Sequence, residues 1–195
     1  MLILASKSAT RQTLLLQAGL PVQTMAADLD ERALEASVQL SPPLLAQRLA
    51  EAKALAISNR RAGATVIGAD QVLACDGELL HKPENIEAAR AQLDRLAGKS
   101  HALHSGVALA RDGAVLWSGV ETATLTMRCF SAVERDKVLA LEGPDIITSV
   151  GAYRLEGPSI RLFAAIEGDY FTILGLPLLP LLAALRVHAP DLLGE

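Results

Sequence analysis

The chain has 195 residues, 51% of them hydrophobic but only 3% aromatic, with a formal net charge of -4. A pI near 5.6 and so few aromatic stacking surfaces argue against a sequence-independent nucleic-acid binder. A mean hydropathy of +0.31 supplies a core for one large domain or two lobes sharing a core, and leaves apolar surface for an oligomer. The two cysteines, Cys75 and Cys129, stand in no CxxC pair and join no histidine cluster. They read as two buried thiols in a reducing compartment rather than a zinc site. Met1-Leu2-Ile3-Leu4-Ala5-Ser6-Lys7 lacks the basic start of a signal peptide. The apolar run from Phe171 to Leu185 is broken by Gly175, Pro177 and Pro180, short of the ~20 residues of a membrane span. The expectation is a soluble, cytoplasmic protein with no nucleic-acid or membrane partner.

In chain order, Leu2 to Ala5 predicts a strand. Ser8 then caps a helix carrying Arg11, Leu14, Leu15 and Ala18, closed by Gly19. That puts hydroxyls, free N–H groups and Arg11 at a helix N-terminus, where anions bind well. Val22 to Ala26 predicts a second strand, followed by the acidic Asp28-Leu29-Asp30-Glu31. Ser41-Pro42-Pro43 opens a helix through Leu44, Leu45, Leu49, Ala52 and Ala56, with Lys53 on it. Thr65 to Ala69 predicts a strand that ends at Asp70, and Leu73 to Leu80 a hairpin turning at Asp76-Gly77. An amphipathic helix from Asn85 to Leu96 stops at Gly98. Two strands follow, Ser100 to Ala110 and Ala114 to Met127, joined at Asp112-Gly113. Ser131 and Glu134 form a capping box for a helix ending near Gly143-Pro144. Ser159 to Ile166 predicts a strand, Glu167-Gly168-Asp169 a turn, and Leu178 to about Val187 a helix. This mixture of βα units and hairpins predicts a three-layer α/β or α+β domain with a mixed sheet.

Polar groups gather at element ends: Ser6, Ser8 and Arg11; Asp30-Glu31; Lys53; Asp70-Gln71; Lys82; and Tyr153 to Glu156. Taken singly, Ser8 can be only a cap, Lys53 only a snorkelling surface cation, and Glu31 only a solvated first-turn acid. Asp70 is harder to dismiss, because a charge ending an apolar strand is costly unless it is compensated. An acid there and Lys82 on the stiff Lys82-Pro83 dipeptide suit a polyphosphate and its metal.

These islands resemble the Maf family of nucleoside triphosphate pyrophosphatases over nearly the whole chain. Leu4-Ala5-Ser6-Lys7-Ser8-Ala9-Thr10-Arg11 is similar to its N-terminal ASxSPxR pattern, Asp30-Glu31 to its acidic pair, and Ala52-Lys53-Ala54 to its AKA segment. Gly68-Ala69-Asp70-Gln71 and Lys82-Pro83 match its central motif and the KP that follows. Ile166-Glu167-Gly168-Asp169-Tyr170 and Gly175-Leu176-Pro177-Leu178 match its C-terminal block. The resemblance implies a single domain over residues 1–195, with a central mixed, twisted sheet flanked by helices and two lobes with a cleft between them. It further implies hydrolysis of a nucleoside triphosphate to monophosphate and pyrophosphate, a divalent Mg2+ or Mn2+, and a homodimer. By motif, Asp70, Glu31, Lys53 and Lys82 would be catalytic, with Asp70 and Glu31 holding the metal. Ser6, Ser8, Arg11, Gln71 and Glu156 would bind substrate. The chain departs from the pattern at Ala9 (usually proline), at Gln12 (usually basic) and at His81 (usually glycine).

Gln71 and the Glu156 of Tyr153-Arg154-Leu155-Glu156-Gly157 resemble the 7-methyl-GTP branch more than the dTTP/UTP branch. A carboxylate would favour the cationic 7-methylguanine ring over a neutral pyrimidine. The bland alternative pairs Glu156 with Arg154 or Arg161. The competing functions are a dTTP/UTP pyrophosphatase, and a non-catalytic nucleotide-binding regulator of septum formation and cell division.

Overall fold

The computed structural model describes residues 1–194. The chain begins with β1 (Leu2–Ala5), α1 (Ala9–Gln17), β2 (Gln23–Thr24), α2 (Glu31–Ser37) and α3 (Pro42–Ser58). It continues through β3 (Thr65–Cys75), β4 (Glu78–Leu80), α4 (Ile86–Leu96), β5 (Ser100–Arg111), β6 (Ala114–Met127) and α5 (Ala132–Glu142). It closes with β7 (Phe163–Glu167), α6 (Tyr170–Ile173) and α7 (Leu178–His188). The strand order is β2-β1-β3-β5-β6-β7, with β4 beside β3. β1 is parallel to both β2 and β3, whereas β4 and β7 pair antiparallel with β3 and β6. The expected mixed α/β architecture is therefore found. Among the described residues no helix is long and apolar enough to cross a membrane.

The chain divides into two compact units. The first holds residues 1–71, 104–121 and those from 169 onward; the second holds 72–103 and 122–168. In the first, the two-residue period of a strand sorts the core. Leu2, Leu4, Ile67, Ala69, Val107 and Leu109 share one cluster with Leu14 and Leu15 of α1 and Leu181 and Leu185 of α7. Ile3, Ala5, Val66, Ala108 and Ala110 share another with Ala50, Ala54 and Ile57 of α3. These strands are buried on both faces, which explains their near-continuous apolar sequence.

Helix α3 lies unusually close to its face of the sheet. A Cβ on Gly68 would run into the backbone oxygen of Ala50, and one on Gly106 into that of Ala46. Two glycines below and small residues above let a helix and a sheet approach backbone to backbone.

In the second unit α4 packs on α5, and Arg90–Asp136 and Arg135–Asp94 ion pairs cross between them. His101 is buried there, its Nε2 2.7 Å from the Tyr153 hydroxyl, while its Nδ1 has no hydrogen-bond partner among the described residues. Phe163 packs edge-on against Tyr153.

Four expectations need correction. The second strand is two residues rather than five, with Val22 and Met25 packed on the core clusters at its ends. Residues 158–162 form a 3-10 turn opened by Pro158, which supplies no ladder donor, so the last strand starts at Phe163. Asp70 does not end its strand: β3 runs on through it to Cys75. Cys129 is exposed, although both thiols are free and Cys75 is buried. The short helices α2 and α6, capped by Asp30 and Asp169, were not expected. The turns at Asp76-Gly77 and Asp112-Gly113 are as expected, with positive φ at both residues of each pair.

Two outcomes follow. Gly68→Ala should destabilise the protein by about 1–3 kcal/mol through overpacking, read as a lower urea midpoint at unchanged m-value. An unaltered midpoint would mean that α3 is free to lift. Burial lowers the His101 pKa to about 4, so the folded state prefers the neutral ring. Stability is then full above the unfolded value of about 6.5 and is lost as pH falls toward 4, by up to about 3 kcal/mol. His101→Gln should flatten that part of the stability–pH curve; an equally steep variant curve would assign the loss elsewhere.

Candidate active site

Strand parity sends Asp70 toward α3 with Val66 and Gly68, and Gln71 toward the opposite face with Ile67 and Ala69. On the α3 face, Lys53 meets Asp70. Its Nζ lies 2.5 Å from Asp70 Oδ1 and 2.8 Å from Glu31 Oε1. Lys53 and Asp70 are buried (9% and 7% exposed), whereas Glu31, in the first turn of α2, is half open to solvent. Asp30 caps that turn through Ala33 N–H, which fixes the start of the helix that presents Glu31. Lys53 therefore ties α2 and α3 to the strand. Burial raises the Asp70 carboxyl above its ordinary range, against the pull of Lys53 and then of Arg11.

On the other face, the groups flanking Asp70 are tied to one turn. Arg11 donates from Nη1 to Ala69 O (2.9 Å) and Ser6 Oγ (3.2 Å), and from Nε to Gly175 O (2.7 Å). Gly175 has φ +88° and a guanidinium against it, so a glycine stands there for two reasons. Gln71 Nε2 donates toward Ser105 Oγ, Thr172 O and Ile173 O at 3.0–3.1 Å. Thr172 O also accepts from the buried Ser105 hydroxyl at 2.7 Å. Ser8 caps α1 through Arg11 N–H, so its structural role is realised whatever else it does.

The first unit thus brings Glu31, Lys53 and Asp70 together, links Ser6, Ser8 and Arg11 to the Ala69 carbonyl beside Asp70, and turns Gln71 to the opposite face. Ser105 and Thr172 escaped the sequence reading, since a small polar residue inside an apolar strand and one inside a four-residue helix give no periodic signal. Lys82 and Glu156 belong to the second unit, and both are exposed. Arg154 pairs with Glu142 instead of Glu156. No hydrogen bond or ion pair engages the Glu156 carboxylate among the described residues.

The donor chemistry suits a hard divalent cation. Two carboxylates converge on one ammonium, and Mg2+ is commonly held by one or two carboxylates together with substrate phosphates. Among the described residues no cluster of three or more His, Cys, Asp or Glu forms.

A family model described as Maf-like protein matches residues 1–188. The chain is 52% identical over 188 residues to a Brucella abortus protein named 7-methyl-GTP pyrophosphatase, covering 95% of this chain and 94% of that one. It is 53% identical over 186 residues to a Nitrobacter winogradskyi protein named nucleoside triphosphate pyrophosphatase, covering 95% and 92%. Among solved structures, a nucleoside-triphosphatase / dITP/XTP pyrophosphatase from Mycobacterium abscessus aligns with 65% of this chain and 73% of its own. At 14% identity and a TM-score of 0.38, that likeness is too slight to argue from.

The raised Asp70 carboxyl has a stability consequence. Its folded pKa lies above the unfolded value of 3.8, so stability is full below that value and is lost as pH rises through the folded pKa. Asp70→Asn removes this loss while Lys53 keeps Glu31. Thermal melts should show the variant at least as stable as the wild type at pH 7, with the advantage shrinking toward pH 3. A pH-independent destabilisation would show that the Lys53–Asp70 pair outweighs the burial cost.

Proposed function

The chain belongs to the Maf family, and from that premise we propose that it hydrolyses a nucleoside triphosphate to the monophosphate and pyrophosphate, with 7-methyl-GTP favoured over dTTP and UTP. The observation that carries the reading is the buried Lys53 held between Asp70 and Glu31. It supplies in one place a carboxylate poised as a base and a cation poised for phosphate. The relatives named as pyrophosphatases support the reaction class.

Asp70 is the general base in this reading. It takes a proton from the attacking water as the new oxygen–phosphorus bond forms at Pα, and the bridging oxygen leaves with its electron pair on pyrophosphate. Burial raises the Asp70 carboxyl above its ordinary range, which strengthens it as a base. The carboxylates of Asp70 and Glu31 would hold a divalent Mg2+ or Mn2+, whose charge offsets the phosphate oxygens and acidifies the water when bound. Lys53 neutralises phosphate charge, and by resemblance Lys82 does the same. Arg11 and Ser6 shape the loop before α1, where the remaining guanidinium donors and the helix N-terminus favour an anion. Glu156, exposed and unpaired among the described residues, would meet the cationic base. Gln71 acts on the site through the turn that its amide holds.

Pyrophosphate release should be measured over a panel of 7-methyl-GTP, GTP, dTTP and UTP, with Mg2+, with Mn2+ and with chelator. Turnover should require the metal and be fastest on 7-methyl-GTP. Asp70→Asn should lower kcat by about a hundredfold or more. Wild-type turnover in that variant would remove Asp70 from the chemistry. Faster turnover of dTTP or UTP would overturn the base preference. Nucleotide binding without turnover on any member of the panel would favour a regulator.

A further inference from the structure

Glu142 is the last residue of α5 and stands in a place that disfavours an acid twice over. A helix C-terminus repels negative charge, and the side chain is wholly buried. Its partners explain it. Oε2 accepts from Arg154 Nε at 2.8 Å and lies 2.6 Å from Arg154 Nη2. Oε1 accepts from Ser159 N at 2.7 Å and from Ser159 Oγ at 2.6 Å. Arg154 Nη2 also donates to the backbone oxygen of Glu142 at 3.2 Å. One carboxylate therefore grips two points of the chain five residues apart.

Between those points lies a tight turn. Gly157 N–H donates to Arg154 O at 3.2 Å, which makes Leu155 and Glu156 the central residues of a four-residue turn. Gly157 lies against the same carboxylate: a Cβ there would sit 2.7 Å from Glu142 Oε1 and 2.9 Å from Oε2. The glycine after Glu156 is thus required by the approach of Glu142. Upstream, Ser149 Oγ donates to Tyr153 O at 2.5 Å, and the Tyr153 hydroxyl meets His101. Glu156 is the exposed side chain at the tip of a turn pinned on both sides.

We propose that Glu142 is a positioning residue for base selection: by clamping Arg154 and Ser159 it holds Glu156 where it meets the positively charged base of the substrate. This rests on the reading of Glu156 under Proposed function. A carboxylate on a loose turn would sample many positions and lose most of its preference for a cationic ring, because electrostatic selectivity depends on a fixed charge. Glu142 takes no part in the chemistry at Pα.

The test uses the full-length protein and the ratio of kcat/KM for 7-methyl-GTP to that for UTP. Glu142→Gln keeps the shape but turns an NH2 against one of the two donor sets. Ser159→Ala removes one hydroxyl and serves if Glu142→Gln does not fold. Each should lower the ratio about tenfold, short of the hundredfold that a misplacement of ~1 Å can cost, with kcat for UTP within about twofold of wild type. In a Glu156→Gln background, neither should lower the ratio further, since the clamp then has nothing to position. If Glu156→Gln lowers the ratio and both clamp variants leave it unchanged, the proposal is wrong. Equal losses on both nucleotides would also overturn it, as a purely structural effect. If Glu156→Gln itself leaves the ratio unchanged, the reading of Glu156 fails and the clamp's role falls with it.

Discussion

A carboxylate in the middle of a buried strand has to be met by a cation, and in this protein the cation arrives because α3 sits almost on the sheet. Gly68 and Gly106 remove the side chains that would hold the helix away, and Ala46, Ala50 and Ala54 present a flat helix face. Lys53 follows on that face, one residue before Ala54 and beside the strand that carries Asp70. The ion pair is thus a result of helix–sheet distance. Any residue that lifted α3 would strand Asp70 without its partner, at a cost far above that of losing a surface pair. Glu31 adds a second oxygen from a more exposed helix, so the ammonium is shared between a fixed acid and one with more room to move.

The opposite face of β3 solves a different problem. Ala69 and Gln71, on either side of Asp70, are tied to residues 172–175 by Arg11 and by the Gln71 amide. Backbone movement at Asp70 would have to break bonds on the far side of the sheet. For Asp70 as the proposed base, such a support would matter, since misplacement by a fraction of an ångström already lowers rate. One strand therefore places the Lys53–Asp70 ion pair on one face and the Gln71 hydrogen bonds on the other, with a change of one residue selecting between them.

Much of this was legible in the sequence, and the limits have physical causes. The long strands and α3, α4, α5 and α7 announced themselves by apolar periodicity, caps and Asp-Gly turns. The candidate residues stood out as charges beside apolar runs and through their resemblance to a family pattern. The end of β3 is not legible locally, because Asp70 looks like a strand terminus unless a distant lysine is known to meet it. Residues 159–162 read as the start of a strand because Ile160, Leu162 and Phe163 suit one; the proline that denies it is local, whereas the pull of apolar residues is not. The opposite facing of Asp70 and Gln71 follows from the period of two once the strand is known to continue. The partners of Gln71, 34 and about 101 residues away, do not follow.

Two buried acids, Asp70 and Glu142, show how environment divides roles among identical functional groups. Glu142 accepts from an arginine, a backbone N–H and a hydroxyl, so both oxygens are committed and the group is a fixed point. Asp70 has a lysine on one oxygen and is pushed toward its protonated form by burial. It retains the capacity to take up a proton or a cation. Saturated hydrogen bonding fixes Glu142, and incomplete compensation leaves Asp70 with the perturbed protonation that the proposed chemistry would use. The number of donors around a buried carboxylate, more than its burial, separates the one that organises a turn from the one suited to chemistry.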